Sequence, residues 1–169
     1  MTTDNRPEPP STGGEREILA GFLDFHRATL LWKLEGLDDQ QLRRAMVPSG
    51  TSLLGLVKHL AYVERSWFQE VWDGQEVSYP WTKQDPDADW RIEPDETTED
   101  VLALYDRECD RSRAIVAGAS SLDELAEHPR QRGWKMSRRW ILIHMIEETA
   151  RHVGHADILR EQLDGATGE

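Results

Sequence analysis

Residues 137–165 read SRRWILIHMIEETARHVGHADILREQLDG. Ser137 is a good helix N-cap and Gly165 a natural residue to follow a helix C-terminus, so the spacing predicts one long helix between them. Alternating steps of four and three from Ile141 give Ile141, Met145, Glu148, His152, His155, Leu159 and Leu163 on one stripe. Apolar residues hold both ends of that stripe and three titratable groups hold its middle. Burying a carboxylate is costly unless it is paired or bound to a cation. Glu148 and His152 are four apart and therefore neighbours on one face, a spacing at which two ligands grip one ion. His144 continues the ladder but cannot share an ion with His152, since eight helical residues rise about 12 Å. Spacing alone leaves His144/Glu148, Glu148/His152, Glu148/His155 and His152/His155 open as pairs.

Three more segments of helical period precede this one. The first runs from about Glu15 to Leu34, with Ile18, Leu19, Phe22, Phe25, Thr29 and Trp32 on its stripe, and Asp38 to Arg44 looks like a short helical turn. The second starts at Thr51 or Ser52 and reaches Trp72, with Leu53, Leu56, Leu60, Val63 and Trp67 inward. The third starts near Thr97 or Thr98 and reaches about Ala117, with Val101, Tyr105, Cys109, Ser112 and Val116 inward. A stretch rich in Pro, Thr, Ser and Gly, Met1 to Gly14, reads as a disordered arm, leaving 15–165 as the folded domain. Two longer connections remain: Tyr79 to Pro94, with Trp81 and Trp90, and Ser120 to Met136, where Ser121 to Glu124 has the form of a capping box. No segment alternates with period two. Four amphipathic helices of this length make an all-α four-helix bundle, and the long second connection allows an order other than up-down-up-down.

His59 is the matching oddity on the second helix, three after Leu56 and four before Val63. Packed helices lie 8–10 Å apart, so His59 can meet Glu148 and His152. Two imidazoles and a carboxylate form the ligand set of an open zinc site, and the same set suits non-haem iron. A single inward histidine is more often a hydrogen-bonded core residue, and a lone Glu–His pair is a weak helix salt bridge. All three in apolar stripes favour metal. His155 suits a supporting role behind a ligand, and His144 a structural one. His26 and His128 read as surface or helix-edge residues, and Cys109 as a small buried apolar one.

The chain of 169 residues carries 20 basic and 32 acidic groups, a net charge of −12. So acidic a surface repels phosphate backbones and anionic lipid, which argues against nucleic acid and membrane as partners. No apolar run is long enough to span a bilayer, the polar N-terminus has no signal-peptide core, and one cysteine forms no internal disulfide. The expected compartment is the cytoplasm. Seven tryptophans are more than one small core obviously needs and point to a homodimer. HExxH, a Gly-rich phosphate loop and G-x-S-x-G are all absent, and neither Glu148 nor Glu64 opens the Glu-x-x-His motif of a di-iron bundle.

PSGTSLLGLVKHLA at 48–61 and WILIHMIEETARHVGHAD at 140–157 resemble the DinB/YfiT-like superfamily, in its actinobacterial mycothiol transferase-like branch. The resemblance covers nearly the whole chain after the arm. It implies an up-down-down-up four-helix bundle and one divalent metal ion, zinc first with nickel or iron as alternatives. The matching ligand positions are His59, Glu148 and His152. Many relatives carry His-x-x-x-His on the last helix; the glutamate at 148 departs from that and resembles the mycothiol-dependent maleylpyruvate isomerases. What the resemblance implies is a thiol S-transferase or isomerase using mycothiol as co-substrate on a small electrophile. The competing expectation is a non-catalytic metal- or ligand-binding protein of stress response.

Overall fold

The computed structural model describes residues 6–128 and 133–167. Its helices are α1 (Glu15–Trp32), the short α2 (Asp39–Arg43), α3 (Leu53–Glu64, continuing without a break as a π-helix over Arg65–Trp72), α4 (Thr98–Gly118) and α5 (Arg138–Asp164). The caps are those that the sequence offers. The side chains of Asp38, Ser52, Thr97 and Ser137 each accept the backbone N–H three residues on, and Gly165 closes α5 with φ +76°. The π-helical stretch was not legible in the residues. It shifts the register by which Trp67, Phe68 and Trp72 meet the core.

Ion pairs fix the helix directions. Glu15 at the start of α1 pairs with Arg139 at the start of α5, and Arg160 near the end of α5 donates to the carbonyls of Lys33 and Glu35 just past α1, so these two run parallel. Lys58 of α3 binds Glu96 just before α4, and Arg65 beyond it binds Glu108 of α4, so those two also run parallel. Leu30 and Leu34 pack in one apolar cluster with Leu53 and Leu54, while Leu23 packs in another with Phe68 and Val71, so α1 and α3 are antiparallel. The order is up-down-down-up. The parallel step from α3 to α4 requires a return crossing, and residues 73–97 supply it.

Two apolar clusters fill the two ends. At the level between them each long helix buries a polar side chain: Arg27, Glu64, Ser112 and Thr149. Arg27 donates to Glu64 at 2.8 and 2.6 Å, which is how two charges are tolerated there. This pair corrects the stripe expected for α1. The buried residues of α1 are Leu23, Arg27, Thr29 and Leu30, so of the expected stripe Thr29 is buried, whereas Phe22 is 44% exposed. A hydrophobicity pattern turns away from an inward arginine. The expected stripe of α4, by contrast, is buried at all five positions. Ser121 to Glu124 opens no helix; its Ser121 hydroxyl accepts from Asp123 N–H in a local turn, and the carbonyls of Leu122 and Glu124 accept the N–H groups of Arg139 and Arg138 at the start of α5, beside the isolated bridge between Leu125 and Ser137.

Residues 6–14 have no regular structure, and Arg6 lies over the rings of Phe25 and Trp32 with a bond to Thr29. The first five residues of the arm and residues 129–132 of the second connection lie outside the described residues. No helix among the described residues is long and apolar enough to cross a membrane.

Candidate metal centre

The long helix α5 carries Trp140, His144, Glu148 and His152 on one four-residue ladder facing α3, which presents His59, Val63 and Trp67. One ligand atom from each of His59, Glu148 and His152 lies within 4.8 Å of the other two. The His59 and His152 rings are 5.0 Å apart. His152 Nε2 stands 3.3 Å from Glu148 Oε1, the contact of an i, i+4 pair. That hydrogen bond is the main influence holding the Glu148 carboxyl below its ordinary range; burial opposes it, and the nearby His144 and Arg151 assist. Glu148 is therefore an anion at neutral pH. The side chains of His59, Glu148 and His152 are 14, 18 and 8% exposed, so the group is shielded yet reaches solvent.

Support for the two histidines comes from different places. His59 Nδ1 is 2.7 Å from Asp89 Oδ2, an acid that the fold buries. With Nδ1 held, Nε2 is the nitrogen left for a ligand bond, the usual arrangement around a metal-binding imidazole. Trp90 stacks on the same ring, centroids 3.8 Å apart and planes at 17°. His155 Nδ1 is 3.3 Å from His152 Nδ1, and His155 itself is surface-exposed. His144 packs instead against Trp67, at 4.4 Å, and Trp140, at 5.1 Å.

Asp89 and Trp90 were missed in the sequence as site residues. They sit in the crossing 73–97, far from either motif and with no periodicity to place them. One signal was present: Gly55 in the first turn of a helix. A Cβ at Gly55 would stand 2.4 Å from the Trp90 carbonyl oxygen, so only glycine lets the crossing settle on α3. Lys58, wholly buried, completes the attachment by donating to the Arg91 carbonyl and to Glu96, both at 2.7 Å. Gly55 and Lys58 thus seat the strap on α3, and its Asp89 and Trp90 hold the His59 imidazole in one orientation.

Two imidazoles and one carboxylate, converging from two helices with a side toward solvent, are the donor set of an open divalent site. The residues present fit such an ion. Cys109 is buried, and burial pushes its thiol well above the ordinary value, with Glu64 adding to the effect, so it is not a nucleophile.

Comparison with known proteins agrees with the architecture. A conserved protein from Enterococcus faecalis of known crystal structure superposes with a TM-score of 0.66 at 13% identity, covering 92% of this chain and 100% of that one. At that identity the likeness is one of fold. No curated protein matches. The mycothiol-S-transferase family profile matches residues 18–165, which takes in every helix and all three candidate ligands. The chain belongs to the mycothiol-S-transferase family.

Proposed function

We propose that the protein is a divalent-metal-dependent thiol S-transferase that conjugates mycothiol to a small electrophile, or isomerises one with its help. The observation that carries this reading is the convergence of His59, Glu148 and His152 within 4.8 Å in a chain of this family. These three residues would hold the ion, zinc first, with nickel or iron served by the same donors. Bound there, the ion supplies a positive centre that favours a thiolate over a thiol.

The protein's own residues do the rest. Asp89 fixes the tautomer of His59 and Trp90 fixes its plane. Glu148 contributes the one negative charge, leaving the two-histidine, one-carboxylate centre less positive than a three-histidine one would be. Nothing on the protein needs to form a covalent bond to substrate, which agrees with the inert Cys109. In conjugation the thiol gives its proton to solvent, its sulfur bonds to the electrophilic carbon and the leaving group departs as an anion; in isomerisation the sulfur adds to the substrate and is released again, so the thiol is regenerated.

The test is thiol consumption with a chlorinated aromatic electrophile, using mycothiol, bacillithiol and glutathione in parallel. The expected result is a clear preference for mycothiol and a rate that vanishes with chelator. Metal-loaded protein that consumes no thiol above background across a panel of electrophiles would overturn the transferase and leave a binding protein.

A further inference from the structure

Exposure falls along the α5 ladder toward the metal group. Trp140 is 41% exposed, and the side chains of His144, Glu148 and His152 are 23, 18 and 8% exposed. The side chains along the groove between α3 and α5 are thus more deeply buried toward the candidate ligands. The more exposed end is an aromatic platform. Trp140 and His144 are stacked at 16°, and Trp67 of α3 meets His144 edge-on at 4.4 Å and lies 5.7 Å from Trp140, so the three rings form a triangle. Charged groups rim it: Glu147 sits 3.4 Å from His144 Nδ1 and pairs with Arg151, which is 58% exposed. Trp140 thus keeps two fifths of its surface in solvent while His144 stacks on its ring, and Glu147 sits one turn further on beside that imidazole.

We infer that Trp140, with His144 and Trp67 behind it, is the subsite for the sugar ring of the thiol co-substrate. The inference rests on the mycothiol reading above. Mycothiol carries its sulfur on an acylated cysteine joined through an amide to a glucosamine linked to inositol. A pyranose offers a face of C–H groups, which suits the negative face of an indole, while its hydroxyls need polar partners such as Glu147, which sits beside His144. Distance selects the sugar over the electrophile. His144 precedes Glu148 by one turn and Trp140 precedes it by two, so the platform begins roughly 6 Å and extends roughly 12 Å along the helix from that ligand. The reacting carbon of the electrophile has to lie against the sulfur and cannot also be out on the platform. A ring separated from the sulfur by an amide spacer can.

The experiment uses two fragments of the thiol: glucosaminyl-inositol, which has the rings and no sulfur, and N-acetylcysteine, which has the sulfur and no rings. Glucosaminyl-inositol should quench tryptophan fluorescence saturably in both metal-loaded and chelator-treated protein. Trp140→Ala should weaken it, and mycothiol with it, by about tenfold, and Trp140→Phe should recover most of the loss. N-acetylcysteine should give a sulfur-to-metal absorption band with the cobalt-substituted protein that Trp140→Ala leaves unchanged. If N-acetylcysteine gives that band but glucosaminyl-inositol does not bind, or if Trp140→Ala leaves mycothiol affinity intact, the subsite is wrong and the thiol reading stands. If neither mycothiol nor N-acetylcysteine produces the band, the thiol reading itself fails and takes the subsite with it.

Discussion

Asp89 is one carboxylate in a chain with 32 acidic residues, and its importance comes from position. It is buried, accepts a 2.7 Å hydrogen bond from His59 if the imidazole is protonated at Nδ1, and so presents Nε2 to the metal group. Replacing such a supporting partner costs about 10–100-fold in metal affinity. Asp89→Ala should therefore weaken zinc by that factor in competition with a chromophoric chelator while leaving the helical content unchanged. Unaltered affinity would mean that Asp89 only packs. Glu108 is the second residue whose surroundings decide its behaviour. Burial pushes its carboxyl up, but the hydrogen bonds from Arg65 and Gln69 prevail and hold it below the ordinary range. A carboxyl with a lowered folded-state value stabilises the protein above its unfolded value and loses that contribution as pH falls through the folded one. Thermal melts should accordingly drop below about pH 5, and Glu108→Gln should lower stability at neutral pH and flatten that acid-side decline.

At the scale of the element, the sequence was most legible where polar residues interrupted an otherwise apolar stripe. Glu148 and His152 stood out on α5 and His59 on α3, and the structure brings one ligand atom of each within 4.8 Å of the others. Helix ends were legible through Asp38, Ser52, Thr97, Ser137 and Gly165. What stayed hidden has physical reasons. Arg27 faces inward because Glu64 meets it from another helix, a partner no local pattern reveals. The π-helical end of α3 packs against α4, where Gln69 and Arg65 both reach Glu108, a contact between distant segments that no local pattern announces. The strap 73–97 has no period to read at all, and yet it delivers Asp89 and Trp90 to the site. Its seating depends on Gly55. Gly55→Ala would force the Trp90 carbonyl away from α3, because backbone rather than a flexible side chain stands 2.4 Å from the new carbon. That variant should keep its fold, lose the stacking of Trp90 on His59, and bind metal about as poorly as Asp89→Ala. Wild-type affinity in Gly55→Ala would show that the strap does not position His59.

The whole molecule presents two kinds of surface. One is the groove between α3 and α5, which carries the candidate metal group. The other is the outer side of α5 and the neighbouring α1, where Ile143, Ile158 and Phe22 are 52, 55 and 44% exposed. Apolar residues spread along one face are what an isologous dimer covers. Light scattering at micromolar concentration should give twice the chain mass, and Ile143→Glu should give the single chain; a monomeric wild type would remove the dimer. The groove matters more, since the transferase reading depends on an ion being held there. The direct measurement is a zinc titration of the metal-free protein and of His59→Ala, Glu148→Gln and His152→Ala. One ion per chain is expected for the wild type, with each variant losing affinity by at least a hundredfold or losing stoichiometric binding altogether. Full occupancy in both histidine variants would contradict the site.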